Sequence, residues 1–149
     1  MGMECTLPDY SQIPLEAKEI VQNTQTIALV GASPKPERPS YQVMNYLLQE
    51  GFKVIPVNPA QSYILEQKCY PSLVNIPQEI DIDTVIIFRH PDYVLDIVKE
   101  AILRKVKYIW LQERIIQEEA LNLAKSKGIK GVMNFCFKKV HLLLKENTL

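Results

Sequence analysis

Gly31, Ser33, Lys35, Arg38 and Ser40 fall close together in the run Gly31-Ala32-Ser33-Pro34-Lys35-Pro36-Glu37-Arg38-Pro39-Ser40-Tyr41. Two hydroxyls, two cations and a glycine that lets a ligand approach the backbone make a set suited to a phosphate. A lone glycine after a strand also serves as a plain tight turn, so the residue types alone leave both readings open. A second polar group, Arg89-His90, follows another apolar run. Cys136 and His141 could in principle pair as thiolate and imidazole. Five residues apart on a helix they lie on different faces, and nucleophilic catalysis needs hydrogen-bond reach and a third, orienting group. No catalytic constellation is read here, and His90 is expected to line a crevice rather than act as a base.

These residues need elements to position them. Residues 27–30 form a continuous apolar run, the pattern of a strand buried on both faces. Gly31 breaks it, and Ser40 opens an amphipathic stretch with Val43, Met44, Leu47 and Leu48 on one side and Gly51 as its stop. Strand, glycine turn and helix are the first half of a mononucleotide-binding unit, with the helix N-terminus facing any anion above the sheet. Further along, strands are expected at 53–57, 83–88, 108–111 and 131–133, with a short edge strand at 67–70. Helices are expected at 14–23, from Pro91 through Ile102, at 115–127 and at 136–144. No hairpin signal joins consecutive strands. The class is therefore α/β, a three-layer, doubly wound parallel sheet with right-handed crossovers. Residues 1–13 lack periodicity and read as an N-terminal arm; residues 14–149 read as one domain.

The totals set limits. At 149 residues, 47% apolar and 23% charged, the chain has ordinary globular composition and length for one core. Seventeen basic and 17 acidic side chains cancel, which argues against a nucleic-acid footprint. No apolar run approaches the roughly 18–20 residues of a membrane span. Cys5, Cys69 and Cys136 are an odd number, far apart and without a CxxC, so neither a zinc site nor a disulfide framework is expected. With no signal-peptide pattern, a cytoplasmic location is expected.

In a doubly wound sheet, ligands bind beyond the carboxyl ends of the strands. Those ends carry Gly31-Ala32-Ser33, Val57-Asn58-Pro59, Phe88-Arg89-His90, Gln112 and Asn134. The three-glycine fingerprint of dinucleotide sites is absent. Asn58 stands where a common NAD site has an acid for the ribose hydroxyls. An uncharged residue there is compatible with a phosphorylated ribose.

The first loop, the Val54-Ile55-Pro56-Val57-Asn58-Pro59 segment, Cys69-Tyr70-Pro71-Ser72-Leu73, Phe88-Arg89, Trp110-Leu111-Gln112 and Met133-Asn134-Phe135-Cys136 together resemble the small stand-alone coenzyme A-binding proteins. These are similar to the N-terminal domain of the succinyl-CoA synthetase α-subunit. The resemblance covers about residues 14–142 and implies a Rossmann-like sheet of order 3-2-1-4-5-6, with 67–70 as the short third strand. It also implies coenzyme A or acyl-CoA across the strand ends, as cofactor or ligand. Gly31, Ala32, Ser33, Lys35, Arg38, Ser40 and Tyr41 would lie near the phosphates. Val57, Asn58, Pro59, Phe88, Arg89 and His90 would surround the adenosine, with Gln112, Asn134 and Cys136 toward the other end. Two departures stand out. Gln112 is followed by Glu113-Arg114 where the family often has a glycine, and Asn134-Phe135 replaces the family's frequent Asp-Arg before the cysteine.

In the synthetase, catalysis depends on a further domain with a phosphorylated histidine, so the resemblance implies binding without catalysis. The expected function is a carrier, sensor or subunit. The alternatives are an NAD(P)- or adenine-nucleotide-dependent enzyme fragment, or a protein-interaction subunit with a vestigial site. A homodimer or other protein partner is left open. The position of Cys136 at the carboxyl edge also raises a narrower hypothesis, a mixed disulfide with the CoA thiol under oxidation, which the sequence leaves open.

Overall fold

The structure is a computed structural model and describes residues 7–147. The arm expected over residues 1–13 therefore lies partly, and Cys5 wholly, outside the described residues. Five parallel strands form the sheet: β1 (Thr26–Val30), β2 (Lys53–Val57), β5 (Thr84–Ile87), β6 (Tyr108–Leu111) and β7 (Lys130–Val132), in the order β2-β1-β5-β6-β7. Helices α1 (Leu15–Gln22), α2 (Pro39–Gln49), α3 (Pro91–Leu103), α4 (Glu118–Ser126) and α5 (Phe137–Glu146) cover both faces. This is the Rossmann-like arrangement expected from the alternation of apolar runs and amphipathic stretches.

Period-two alternation within the apolar runs divides the core. Ala28, Val30, Ile55, Val57, Val85, Ile87, Ile109 and Leu111 face the layer of α3 and α4. Ile27, Leu29, Val54, Ile86, Trp110 and Val132 face α1, α2 and α5. Both sets are buried because parallel strands have a helical layer on each side.

Polar groups fix the opposite, amino edge. The Asp83 carboxylate accepts from the Gln25 and Thr26 amides at 3.0 Å each and pairs with Lys107 at 3.2 Å. Burial pushes its acidity the other way, yet these donors hold its pKa below the usual carboxylate value. Thr24 and Thr84 share a buried hydroxyl–hydroxyl bond of 2.6 Å.

Two elements differ from the sequence expectation. The segment expected as a third parallel strand instead forms a small antiparallel hairpin, β3 (Tyr63–Ile64) with β4 (Gln67–Lys68). Tyr70, just past the hairpin, joins the main sheet through a single parallel bridge to Val57. The hairpin turns at Leu65 and Glu66, both at positive φ (48° and 66°), without the glycine or asparagine that normally signals such a turn. The helix expected from Ile115 starts at Glu118, because Arg114 sits at φ 69° and the Ile115 amide turns back to the Gln112 carbonyl.

Candidate functional site

The carboxyl ends of β1, β2, β5 and β6 are stitched together by backbone bonds. Gly31 N donates to Val57 O at 3.1 Å, Phe88 N to Val30 O at 2.8 Å and Gln112 N to Ile87 O at 3.3 Å. Gly31 is at φ +89°, and a β-carbon there would stand 2.3 Å from the Phe88 carbonyl oxygen. Only glycine permits both the backbone conformation and the approach of β1 to the end of β5.

From Gly31 the loop runs to α2. Ser33 Oγ accepts from Lys35 N, and Arg38 N donates to Lys35 O, which curls the loop and leaves Lys35 and Arg38 exposed. Arg38 is the N-cap residue of α2 and Pro39 opens the helix, with no side-chain cap on the first-turn amides. Those amides, the helix dipole and the two cations converge on one cleft of about 430 Å³, lined among others by Gly31, Ser33, Lys35, Arg38, Ser40 and Asn58. Asn58 ties the two loops: its Nδ2 donates to Ala32 O at 2.8 Å and its Oδ1 accepts from Ala60 N at 2.7 Å. The carboxamide is thus engaged by backbone, so the ribose-facing contact expected from sequence would need those bonds to open.

Beside this cleft, Val57 and Pro59 line a narrow cavity of about 90 Å³ together with Arg89 and Glu100. A third cleft, about 630 Å³, holds Phe88, Arg89, His90 and Gln112 along with Glu113, Arg114 and Ile115. The Arg89 guanidinium stands 4.4 Å over the Tyr93 ring, an arrangement that aligns it along the wall. His90 Nδ1 accepts from Asp92 N at 3.1 Å and caps α3.

At the β6–β7 end the side chains are engaged with one another. Gln112, buried, accepts from Phe137 N at the start of α5 at 3.0 Å. Asn134, at φ 64°, accepts from Arg114 N at 2.7 Å, so the two departures from the family pattern meet in one hydrogen bond. Cys136 is buried at the N-cap of α5, and its amide donates to the Tyr10 hydroxyl at 2.7 Å. That hydroxyl donates in turn to Glu113 Oε2 at 2.6 Å, and Lys139 bonds the same carboxylate at 2.9 Å. Burial and the adjacent carboxylate push the Tyr10 phenol well above its ordinary range, keeping it a donor. Burial would raise Glu113, but Tyr10 and Lys139 outweigh it and hold the carboxyl below its usual value.

The structure therefore gathers most of the sequence-selected residues at one edge. Ala32 contributes a backbone carbonyl, and Tyr41, half-buried in the first turn of α2, lines none of the three clefts. Asn134 and Cys136 lie at the same edge but line none of them. His141 bonds the Tyr46 hydroxyl at 2.6 Å, while the Cys136 amide donates to the Tyr10 hydroxyl, so the two residues have different partners. Sequence reasoning missed Tyr10, Glu100 and Gln61. Tyr10 carried no signal, because its partners are 103 and 126 residues away. Among the described residues, no cluster of metal-binding side chains occurs, and no helix is long and apolar enough to cross a membrane.

A cleft of about 490 Å³ at the amino edge is lined by Lys105, Lys107, Lys127 and Lys130. Lys107 and Lys130 are paired with Asp83 and Glu19, and lysines suit the helix C-termini that end there. The converging amides, and loop cations that form no ion pair among the described residues, make the carboxyl edge the stronger site.

Comparison with known proteins bears on the family and the fold. The sequence profile of the CoA binding domain family matches residues 25–141. The uncharacterized protein YneT of Bacillus subtilis is 35% identical over 130 residues, 87% of this chain and 95% of that protein. A solved structure of a hypothetical protein from Pyrococcus horikoshii is 39% identical with a TM-score of 0.84, covering 96% of this chain and 99% of the other. The ADP-forming acetate–CoA ligase II of Archaeoglobus fulgidus is 44% identical over 59 residues, 38% of this chain but only 9% of the ligase.

Proposed function

The chain belongs to the CoA-binding domain family, and from that premise we propose that it binds coenzyme A or an acyl-CoA at the carboxyl edge of the sheet. In this reading it acts as a carrier, sensor or subunit, without catalysis of its own. The observation that carries the proposal is the convergence of Lys35, Arg38, Ser33 and the uncapped first turn of α2 on one cleft. That donor set fits the phosphates of CoA. Ser33 and the amides orient them, and the two cations neutralise charge. The adjoining narrow cavity, walled by Val57, Pro59, Leu73 and Ile97 with Arg89 and Glu100 in its lining, is the place this reading gives to the base. The wider cleft from Phe88 to Arg114 offers a path for the pantetheine arm.

The relation to acetate–CoA ligases supports the choice of ligand. The absence of an acid after β2, where Asn58 stands, favours CoA over NAD. Cys69 and Cys136 are free thiols, which supports the proposed cytoplasmic location.

Isothermal titration with CoA, acetyl-CoA, NAD and NADP in parallel tests the proposal. Saturable binding of CoA or acetyl-CoA, with neither NAD nor NADP bound as tightly, is the expected result. Preference for NAD or NADP refutes it, and so does failure of all four to bind.

A further inference from the structure

The narrow cavity at the ends of β1 and β2 holds a feature that the phosphate loop does not use. Its walls are Val30, Val57, Leu73 and Ile97, and Glu100 lies one helical turn beyond Ile97 on the same face of α3. Glu100 Oε1 is buried and has no hydrogen-bond partner among the described residues. Of the polar neighbours, the Ser72 hydroxyl donates to Asn75, and Arg89, which lines the same cavity, has its guanidinium stacked over the Tyr93 ring and forms no ion pair with Glu100 among the described residues. A buried acceptor without a donor is unfavourable, and its position in a cavity walled mainly by valine, leucine, isoleucine and proline points to a donor supplied from outside the chain.

We infer that Glu100 is the specificity-determining residue for the base, accepting a hydrogen bond from the exocyclic amine of adenine. This inference rests on the CoA reading and adds a rule of selection to it. A purine has two apolar faces for the valine, leucine and isoleucine walls. Adenine carries an N–H donor on its six-membered ring where hypoxanthine and guanine carry a carbonyl oxygen. A carboxyl oxygen fixed at that position attracts the amine and opposes the carbonyl. A site built to hydrogen-bond one group rejects the analogue that lacks it, because its own polar atom is then left unpaired. Asp96, one turn earlier on α3, is exposed and does not line the cavity.

The test compares CoA with its deamino analogue, in which hypoxanthine replaces adenine, by titration calorimetry on the intact chain. The expected result is at least tenfold tighter binding of CoA. In Glu100→Gln the ratio should fall below about threefold, because the amide can donate to the carbonyl as readily as it accepts from the amine. The variant preserves shape, and its melting temperature beside wild type checks that it folds. Equal binding of the two ligands by wild type overturns the inference and leaves the CoA reading standing. A ratio unchanged in Glu100→Gln also overturns it. If wild type binds neither, the CoA reading itself fails, and this inference with it.

Discussion

Gly31→Ala should destabilise the protein by about 3–4 kcal/mol, of which roughly half comes from the backbone conformation and half from a collision. An L-residue at φ +89° costs about 1–2 kcal/mol relative to glycine. The added carbon would lie 2.3 Å from Phe88 O and 2.9 Å from Phe88 C, both backbone atoms. Relief requires the end of β5 to retreat from β1, which puts the Phe88 N–Val30 O and Gly31 N–Val57 O bonds at risk. Each contributes about 1 kcal/mol.

Gly51→Ala supplies the control. It has φ +93° and nothing within 4 Å of an added carbon. It closes α2 with Gly51 N bonded to Leu48 O and Phe52 N to Leu47 O, a left-handed C-terminal cap. It should therefore show the conformational part alone, about 1–2 kcal/mol. Urea unfolding of both variants, read at a common m value, measures the difference. Equal losses, or a loss below about 1 kcal/mol for Gly31→Ala, would refute the argument that close approach fixes this residue.

Replacing Lys35 and Arg38 together with alanine should weaken CoA binding by a few kcal/mol, at ~1.5–3 kcal/mol per charged hydrogen bond; unchanged affinity in calorimetry places the phosphates elsewhere. Arg104 donates to the carbonyls of Leu73, Ile76, Pro77 and Ile80, so Arg104→Met should cost about 2–4 kcal/mol and speed amide exchange across 73–80. Intact exchange protection there would count against the clamp. The lowered folded pKa of Asp83 means that its contribution is present above the unfolded value, near 3.8, and is lost as pH falls through the lower folded value. Asp83→Asn should therefore flatten the acid limb of the stability–pH curve, and an unaltered limb would contradict this. Tyr10→Ala should expose Cys136 and raise its rate of disulfide formation with oxidised CoA about tenfold or more, followed by intact mass; equal rates would show that Tyr10 does not shield the thiol.

The alternation of buried runs and amphipathic helices made the sheet legible, since the central strands β1, β5 and β6 carry runs of three or four residues buried on both faces. The first loop was legible because its cations and hydroxyls sit next to a glycine in sequence. What stayed hidden depended on contacts at long range or on unusual backbone. Leu65 and Glu66 adopt left-handed conformations that neither residue type announces, so the sequence points to an edge strand at 67–70 but not to β3 or to the hairpin that joins it to β4. Glu118 and Glu119, acids in the first turn of α4, were a usable signal for its true start. Glu100 reads in sequence as one more polar residue on an amphipathic helix. Its place beside a cavity that also takes in Leu73 of the 3₁₀ turn and the ends of β1 and β2 follows from tertiary packing alone. Tyr10 belongs to a segment without periodicity, and its value lies wholly in partners far along the chain.

That separation bears on the order of assembly. Tyr10 closes onto Glu113 and Cys136, Glu16 accepts from Gly131 N, and Glu19 pairs with Lys130. The segment around α1 thus finds its docking surface only after β7 and the start of α5 exist, more than 110 residues later for the Glu16 contact. During synthesis this stretch leaves the ribosome early and waits, with Ala17, Ile20 and Val21 uncovered, until the last strand joins the sheet. Closing loops of that length is slow relative to local contacts, so the β2-β1-β5 centre is expected to assemble first. The first helix is then the final piece to lock, and a chain stalled before residue 130 would present an unmated apolar helix to chaperones or to its neighbours.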